Sequence, residues 1–299
     1  MNTILLRLTA TLAMLGACRP PASDPPICAS LVGSERADES DTRLLPPSAW
    51  FTLLVRDVRR PALTVPPEPH DCNGRTITAA APGPAPEELP AAPLGGADLT
   101  FSPGPEGHML VWARVERFSD GSARGPVALV RRVARGVEVR GIGTLWAPAG
   151  RVRLRLERFG DIQLLLADSQ SCADATPATP ATCTRQLQLL PLVGQRFVAA
   201  DLREEGSDRP VGPARVIMRE RSDVRMDDGW MRRADVQRHV RVHDGHITIA
   251  EELRVRECDP SASPETCRER LRVREERPVA WKDGHFSAPA SAWAQVAGP

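Results

Sequence analysis

The feature that most constrains the fold of this 299-residue chain is an internal repeat of landmark residues. Glycines, aromatic residues and a pair of cysteines recur in the same order, and the residue numbers of matching positions differ by 84 to 87. The pairs are Gly125 with Gly212, Trp146 with Trp230, Gly160 with Gly245, Cys172 with Cys258, Cys183 with Cys267, and Phe197 with Trp281. A solenoid normally needs about three repeats or more, so two copies, at about 125–199 and 212–286, predict a two-lobed or pseudo-twofold domain.

Each copy alternates polar and apolar residues in the way that is typical of half-buried β-strands. Residues 151–157 show this alternation without a break, and no segment has a helical period. Further alternating segments are 186–189, 239–243 and 270–274, and hairpin-type turn dipeptides are Asp120-Gly121, Asp244-Gly245 and Asp283-Gly284. The sequence therefore predicts an all-β body of antiparallel strands in two tandem meanders, with a sandwich, a half-barrel or an incomplete propeller as possible architectures.

The N-terminus has the pattern of an export signal. An apolar run over residues 6–14 carries a single charge and is too short to span a bilayer, which needs about 20 apolar residues. The sequence Leu-Gly-Ala-Cys follows at 15–18, and this small-small-Cys ending resembles the lipobox of bacterial lipoproteins. The resemblance implies that residues 1–17 are a removed signal peptide and that Cys18 carries a lipid anchor in the bacterial cell envelope. Arg19 stands where Asp would signal inner-membrane retention, which favours the outer membrane.

The chain has seven cysteines. With Cys18 assigned to the lipid, six remain, and an even number in an exported protein predicts disulfide bonds. Proximity along the chain favours Cys172–Cys183 and Cys258–Cys267 as staples across hairpin loops, which leaves Cys28–Cys72. Each short staple is worth about 2–3 kcal/mol in chain entropy. No C-x2-C pair or nearby histidine cluster supports a metal site, so neither a metal ligand nor a cofactor is predicted.

Pro-rich stretches divide the chain into parts. Residues 18–49 are rich in Pro, Ser and charge, and predict a tether that holds the body off the membrane. Residues 50–80 contain predicted short strands at 50–58 and 75–79, which a Cys28–Cys72 bridge would tie to the tether. The remaining parts are a second Pro-rich linker at 81–97 and the duplicated body at 98–299.

Charge and composition argue against nucleic acid as a partner. Without residues 1–17 the chain has 38 basic and 38 acidic side chains, so it exerts no global attraction on a polyanion. It has no Tyr, and its six Trp and six Phe offer few platforms for stacking bases. The expected partners are the membrane, through the lipid anchor, and an envelope protein or glycan.

Three histidines in the second copy are candidate metal ligands. His243 and His246 flank a two-residue turn, so their rings could share an ion. His239 lies about 13 Å farther along the strand and cannot join them, whereas Zn²⁺ normally needs about three or four protein ligands. A solvated hairpin face is therefore the favoured interpretation.

Arginines on the outward faces of the predicted strands raise the possibility of an anion-binding surface. Glutamates are interleaved with them, so cross-strand pairing on a solvated sheet is the favoured interpretation. The arginines are Arg153, Arg155, Arg241, Arg254, Arg256, Arg270, Arg272 and Arg274, and the glutamates are Glu157, Glu252, Glu257, Glu269 and Glu275.

Adjacent carboxylates occur at Glu251-Glu252 and at Asp227-Asp228. Carboxylates are the residues that glycosidases use, but neighbours in a strand point to opposite faces and cannot flank one bond. Turn and surface roles are favoured for both dipeptides. The chain has no G-x-S-x-G or H-E-x-x-H motif, so no catalytic residue is assigned.

Trp146 and Trp230 hold equivalent positions in the two copies, which predicts a shared packing role rather than ligand stacking.

The export signal, the disulfides and the absence of a catalytic motif together favour a non-enzymatic binding or structural module of the cell envelope. Two alternatives remain open: a carrier of apolar ligands or lipids, which would need an apolar cavity, and a hydrolase with a dispersed site, which would need clustered polar residues with perturbed pKa values.

Overall fold

The computed structural model describes residues 25–31, 45–79, 86–134, 136–173, 182–206, 210–261 and 266–297. The predicted signal peptide, the lipid site Cys18 and much of the predicted tether lie outside these residues. The helices are α1 (Pro47–Leu54) and α2 (Ala292–Ala297), with single 3₁₀ turns at Gly96–Asp98 and Pro105–Gly107. The strands are β1 (Cys28–Leu31), β2 (Leu99–Pro103), β3 (His108–Ala113), β4 (Glu116–Arg117), β5 (Ser122–Val133), β6 (Gly136–Pro148), β7 (Arg151–Phe159), β8 (Ile162–Ala173), β9 (Thr182–Val193), β10 (Arg196–Phe197), β11 (Asp201–Glu204), β12 (Pro210–Pro213), β13 (Arg215–Ile217), β14 (Arg219–Arg225), β15 (Met231–His243), β16 (His246–Asp259), β17 (Thr266–Lys282) and β18 (His285–Ala288).

The first sheet has the strand order β2-β3-β5-β6-β10-β9-β8-β7, and β1, β4 and β13 pair along its sides. It curls so that its edge strands approach each other without pairing, and the Leu154 N–H of β7 donates to the Ser102 Oγ of β2 at 3.2 Å. Side chains fill the interior of this half-barrel, among them Trp112, Leu145 and Leu165. At Gly143 a Cβ would lie 2.1 Å from the backbone oxygen of Phe197, so only glycine lets β10 run beside β6.

The second sheet has the strand order β12-β11-β18-β17-β16-β15-β14 and is also curled. Its inward face covers the outer face of the first sheet. Leu164 and Leu166 of β8 pack there against Ile247 and Ile249 of β16 and against Phe286 of β18. Strand β8 is therefore buried on both faces, whereas β16 buries one face and leaves the other to solvent. The all-β prediction of antiparallel meanders is confirmed, in the half-barrel form.

All three disulfides join the cysteines that the sequence analysis paired. Cys172–Cys183 links facing residues of β8 and β9, and Cys258–Cys267 links facing residues of β16 and β17. In both pairs the Cα atoms are 4.0 Å apart. Cys28–Cys72 ties β1 to the segment that follows α1. Each of the two hairpin staples therefore closes a loop between neighbouring strands of one meander.

The two copies share their strand order in the units β7–β10 and β15–β18. Each unit has a two-residue turn, a stapled hairpin and a short final strand that runs parallel to a strand outside the unit, β6 or β11. The strands before the two turns end at Phe159 and at His243, so counting back from these residues matches Leu156 with Val240 and Leu154 with Arg238. This register matches Gly160 with Asp244 of the second unit, one residue before Gly245, with which the repeat in the sequence had matched it. The strands that precede the two units differ, since β5 and β6 form a long hairpin whereas β12, β13 and β14 are short.

Residues 45–79 differ from their prediction. The predicted strand at 50–58 is replaced over most of its length by α1, and the predicted strand at 75–79 is reduced to a single bridge at Thr76. Helix α1 forms because Pro47 lies in its first turn, and because four apolar side chains then reach a common core with β3, β5 and β6. The four are Trp50, Phe51, Leu53 and Leu54.

Part of the predicted tether is also structured. Residues Cys28–Leu31 form β1 and pair antiparallel with β6, so this part is a strand of the first sheet rather than a tether. Farther along, the second half of the predicted linker pairs with the body, since the Leu89 N–H donates to the Arg117 oxygen at 2.8 Å. Neither α1 nor α2, nor any other helix of the described residues, is long and apolar enough to cross a membrane.

Candidate binding site

A buried ion pair occupies the inward face of the second sheet. Arg238 of β15 and Glu251 of β16 lie directly opposite each other and are 8% and 3% exposed. The alternation of both strands places them inward, between apolar rows that contain Val236 and Leu253 on one side and Ile249 on the other. Burying charged groups is costly unless they are paired and hydrogen-bonded, so the surroundings of this pair decide its role.

The Glu251 carboxylate accepts hydrogen bonds from four groups. The Arg238 Nε–H donates at 2.7 Å and the Ser291 hydroxyl at 2.6 Å, while the Arg277 guanidinium and the Trp293 backbone N–H are at 3.5 and 3.4 Å. Burial raises the pKa of Glu251, but the hydrogen bonds from Ser291 and Arg238 and the nearby positive charges outweigh it and hold that pKa below its usual range. Glu251 is therefore a fully satisfied carboxylate anion.

The buried group of Arg238, Glu251 and Arg277, called here the ionic centre, also holds the C-terminal segment in place. The Arg277 Nε–H donates to the Pro289 oxygen at 2.8 Å, and the Ala292 N–H donates to Glu275 at 3.1 Å. Helix α2 then lays Trp293 and Val296 over the apolar row of β15 and β16. The last described residues are thus bound to the second sheet by charge-assisted hydrogen bonds and by apolar contact.

A cavity of about 300 Å³ lies beside the ionic centre, between strands β11 to β17 and the C-terminal segment. Apolar side chains contribute part of its wall, with Leu202, Val216, Ile249 and Trp293 among them. Four arginines also line it, namely Arg203, Arg215, Arg238 and Arg277. A concave site of this size with apolar walls and a few polar groups is the usual form of a small-molecule site.

The importance of Glu251 was missed by the sequence analysis, which favoured a surface or turn role for the Glu251-Glu252 dipeptide. Glu252 does lie on the outer face, but Glu251 is buried. The signal was present in the alternation, because Arg238 stands at an inward position between Val236 and Val240. A charge at an apolar position of a strand indicates a buried partner.

The histidines considered as metal ligands do not come together. His243 and His246 face each other at the turn, and the His243 Nε2 lies 3.1 Å from the Asp244 carboxylate. His239 lines a separate cavity between the sheets, four residues along β15. Within the described ranges, no group of three or more His, Cys, Asp or Glu side chains could hold a metal ion.

Seven of the eight outward arginines form ion pairs with acidic side chains, mostly across strands as favoured from the sequence, but along one strand for Arg155–Glu157 and Arg254–Glu252. Hydrogen bonds from Arg254 and Arg272 lower the pKa of the exposed Glu252 carboxylate to about 2. The ion pairs include Arg155–Glu157, Arg241–Glu276, Arg256–Asp235, Arg270–Glu257, and Arg254, Arg272 and Arg274 with Glu252. The outer face is thus a network of salt bridges.

The two tryptophans do not share a packing role, which corrects that prediction. Trp146 is buried at the end of β6, stacked on Phe118 at 4.2 Å, and its Nε1–H donates to Ser122. Trp230 lies in the turn before β15, with the Arg268 guanidinium 5.3 Å from its ring. The strands that precede the two units differ, so the residues before β7 and β15 have different neighbours.

The Asp227-Asp228 dipeptide has the turn role that was favoured, since the Asp228 carboxylate accepts from the Trp230 N–H at 3.1 Å. Among the described residues, the ionic centre and the adjoining cavity combine buried charges with a partly apolar wall. Comparison of the chain with protein-family models, with curated proteins and with solved structures gives no match.

Proposed function

We propose that this chain is a lipid-anchored protein of the bacterial cell envelope whose β body is a non-enzymatic binding module. The anchor is the lipid on Cys18 after removal of residues 1–17, with the outer membrane favoured over the inner. The Leu-Gly-Ala-Cys sequence at 15–18 supports the anchor. Three disulfides support an oxidising compartment outside the cytosol.

The observation that carries the binding role is the contrast between a filled half-barrel and an open cavity. The interior of the first sheet is occupied by fully buried side chains such as Leu110, Trp112 and Leu165. A carrier of apolar ligands needs an apolar cavity, so this filling supports a binding module over a carrier. The cavity beside Arg238 and Glu251 is instead lined by both apolar and cationic groups.

The chemistry of Glu251 supports a non-enzymatic role over a hydrolase. A general base needs a pKa near the working pH, whereas the pKa of Glu251 is lowered and its oxygens are occupied by donors. The Ser291 hydroxyl that lines the cavity donates a hydrogen bond to this carboxylate at 2.6 Å. A carboxylate with a lowered pKa is a weak base, so Glu251 is poorly suited to take the proton of Ser291 and activate it as a nucleophile.

The anchor is tested by a Cys18→Ser substitution, with Ala22→Ser as the matched control outside the lipobox. In cells labelled with radioactive palmitate, we expect the parent chain and the control to incorporate label and to sediment with the outer membrane. The Cys18→Ser chain is expected to stay unlabelled and uncleaved. Maturation and membrane partition of Cys18→Ser like those of the parent would disprove the lipid anchor.

The binding role is tested against the carrier alternative with the neutral apolar dye N-phenyl-1-naphthylamine. The full-length chain in nanodiscs of a zwitterionic lipid is expected to give no more fluorescence than empty nanodiscs, because the half-barrel interior is filled. Saturable dye fluorescence that a Trp293→Ala substitution in the wall of the separate cavity leaves unchanged would favour the carrier and overturn the proposal.

A further inference from the structure

We propose that the cavity beside the ionic centre binds a small molecule that carries a carboxylate or phosphate group and a short apolar part. Arg203 and Arg215 are the residues that receive the anionic group. This inference rests on the proposed binding function and assigns its ligand class.

The four arginines of the cavity fall into two pairs with different surroundings. Arg238 and Arg277 donate to Glu251, and they also bond Glu220 and the Pro289 oxygen respectively. These two guanidiniums are occupied by the protein itself. They form one side of the cavity, and Glu251 and Glu220 largely neutralise their positive charges.

Arg203 and Arg215 are not occupied in this way. Arg203 projects from β11, opposite Pro210 of β12, and its Nε–H is buried without a hydrogen-bond partner in the described part of the chain. Arg215 begins β13, where its backbone pairs with Gln188 of β9, but its guanidinium forms no hydrogen bond or salt bridge with any described residue. Burial lowers the pKa of Arg215, and the charge of Glu220 opposes that effect. A half-buried guanidinium without an acceptor is a group that an anion would satisfy.

The charges around the cavity leave a positive excess at these two residues. The carboxylates of the cavity wall are Glu204 and Glu220, and Glu220 accepts a hydrogen bond from Arg238. Glu251 lies behind the wall and is bonded to Arg238 and Arg277, so the four guanidiniums of the wall carry more charge than these three carboxylates neutralise. Carboxylate and phosphate oxygens match the planar fork of a guanidinium and bind it in bidentate fashion.

The apolar part of the ligand follows from the rest of the wall. Val216 and Ile249 lie on the sheet side of the cavity, and Trp293 lies on the side of the C-terminal segment. A volume of about 300 Å³ holds a small amphiphile rather than a whole lipid. Inorganic phosphate alone would leave these apolar surfaces in contact with water.

Isothermal titration calorimetry on the full-length chain tests this ligand class, with the chain in zwitterionic nanodiscs so that no anionic lipid competes. The ligands are hexyl phosphate and hexanoate, with hexyl glucoside as the neutral control and inorganic phosphate as the control without an apolar part. We expect at least one hexyl anion to bind at least about tenfold more tightly than either control. The tighter of the two anions identifies the headgroup as phosphate or carboxylate.

Three variants locate the site. Arg203→Gln and Arg215→Gln are each expected to weaken binding of the preferred anion about tenfold or more, while Arg225→Gln, an exposed charge removal on β14, leaves it unchanged. Trp293 serves as a second readout. Ligand should change the tryptophan fluorescence of the parent chain, and Trp293→Phe should remove that change. Melting temperatures check that each variant is folded.

Absence of binding by both hexyl anions, or binding unchanged in both Arg203→Gln and Arg215→Gln, would overturn the inference. Binding of hexyl glucoside as tight as that of the anions would overturn the ligand class and leave the binding module in place. Binding by inorganic phosphate equal to that of hexyl phosphate would disprove the apolar part. None of these results depends on the Cys18 experiment, so the anchor and the ligand class fail separately.

Discussion

The two matched units bury opposite kinds of residue pair at the same position. In β7–β10 the facing pair five residues from the turn is Leu154 and Ala167, inside the filled half-barrel. In β15–β18 the pair at that position is Arg238 and Glu251, inside the ionic centre. Strand order, turn length and staple are the same, so the backbone of the unit tolerates either pair. The difference teaches that the fold depends on strand pairing and alternation, and that the inward residues adapt one unit to packing and the other to a site.

The ionic pair and the apolar pair also differ in what they stabilise. Leu154 and Ala167 contribute apolar burial to a single continuous core. Glu251 accepts hydrogen bonds from Ser291 and Trp293, which lie 40 and 42 residues farther along the chain. The ionic pair therefore connects the sheet to the C-terminal segment. A buried ion pair often stabilises no more than an apolar pair of similar volume, and its value lies in what it positions. Here it positions the C-terminal segment and one side of the cavity.

The largest expected effect comes from breaking the ionic pair. Glu251→Ala leaves Arg238 and Arg277 buried without their carboxylate, so the free energy of unfolding should fall by about 3–5 kcal/mol. The double variant Arg238→Leu with Glu251→Ala copies the apolar pair of the first unit and should lose clearly less. Urea unfolding of both chains measures the difference.

The control for this comparison is the exposed pair Arg241–Glu276 on the outer face of the same sheet. Arg241→Leu, Glu276→Ala and their combination should each change the free energy of unfolding by about 0–1 kcal/mol. A double variant at Arg238 and Glu251 that is as unstable as Glu251→Ala alone would show that the second unit does not accept the apolar pair of the first.

The second prediction concerns the apolar pair. Leu154→Ala should lower the free energy of unfolding by about 2–5 kcal/mol, because Leu154 is fully buried in a filled interior that cannot collapse around the lost atoms. Leu156→Ala, on the same strand and with the same chemistry, removes a half-buried side chain and should cost less than half as much. Equal losses from the two substitutions would contradict the filled half-barrel.

The strands and the two hairpin disulfides of the matched units could be predicted from the sequence, because each depends on residues that are close together along the chain. The alternation of 151–157 and 239–243 identifies strands because the side-chain period of a strand is two residues. Cys172–Cys183 and Cys258–Cys267 are neighbours along the chain, so a hairpin suffices to join them. The helix α1 was missed because a short, nearly continuous apolar run does not distinguish a buried helix from a buried strand.

The candidate site was not accessible in the same way. Its members, Arg203, Arg215, Glu251 and Ser291, come together only when the second sheet curls and the C-terminal segment folds back across it. No pattern among neighbouring residues of the sequence predicts that the C-terminal segment folds back across the second sheet. The local signs of the ionic centre were two charges within apolar alternations, Arg238 after Val236 and Glu251 between Ile249 and Leu253.

The third prediction tests whether the two staples are equivalent. Replacing both cysteines of Cys172–Cys183 by Ala should lower the free energy of unfolding by about 2–3 kcal/mol, and the same change at Cys258–Cys267 should have nearly the same effect. The closed loops differ little, with sequence separations of 11 and 9, and the entropic benefit grows only slowly with loop length. Peptide mapping without reduction should recover each pair separately, and a Cys172–Cys258 link would refute the stapled units.

The smallest expected effect is the dependence of stability on pH and salt. It distinguishes Glu251, on the inward face of β16, from its neighbour Glu252, on the outward face. Both Glu251 and Glu252 have pKa values below the ordinary value of 4.5, and that of Glu252 is about 2. A lowered folded-state pKa contributes stability that is present above the unfolded pKa and is lost as the pH falls toward the folded pKa. The stability of the parent chain should therefore be level from about pH 7 to pH 5 and decline between about pH 4.5 and pH 2.

Substitution by Gln separates the two contributions, since it removes the charge and nearly keeps the shape. Glu252 is exposed and held by Arg254 and Arg272, so salt of about 1 M should remove most of the difference between Glu252→Gln and the parent. Glu251 is shielded from solvent, so Glu251→Gln should remain destabilised in the same salt, and its loss relative to the parent should shrink only as acid protonates the parent carboxylate. Urea midpoints across this pH range, at low and high salt, provide the measurement. If salt erased the Glu251→Gln difference as fully as that of Glu252→Gln, the carboxylate at 251 would be in contact with water and the second unit would lack a buried ionic centre.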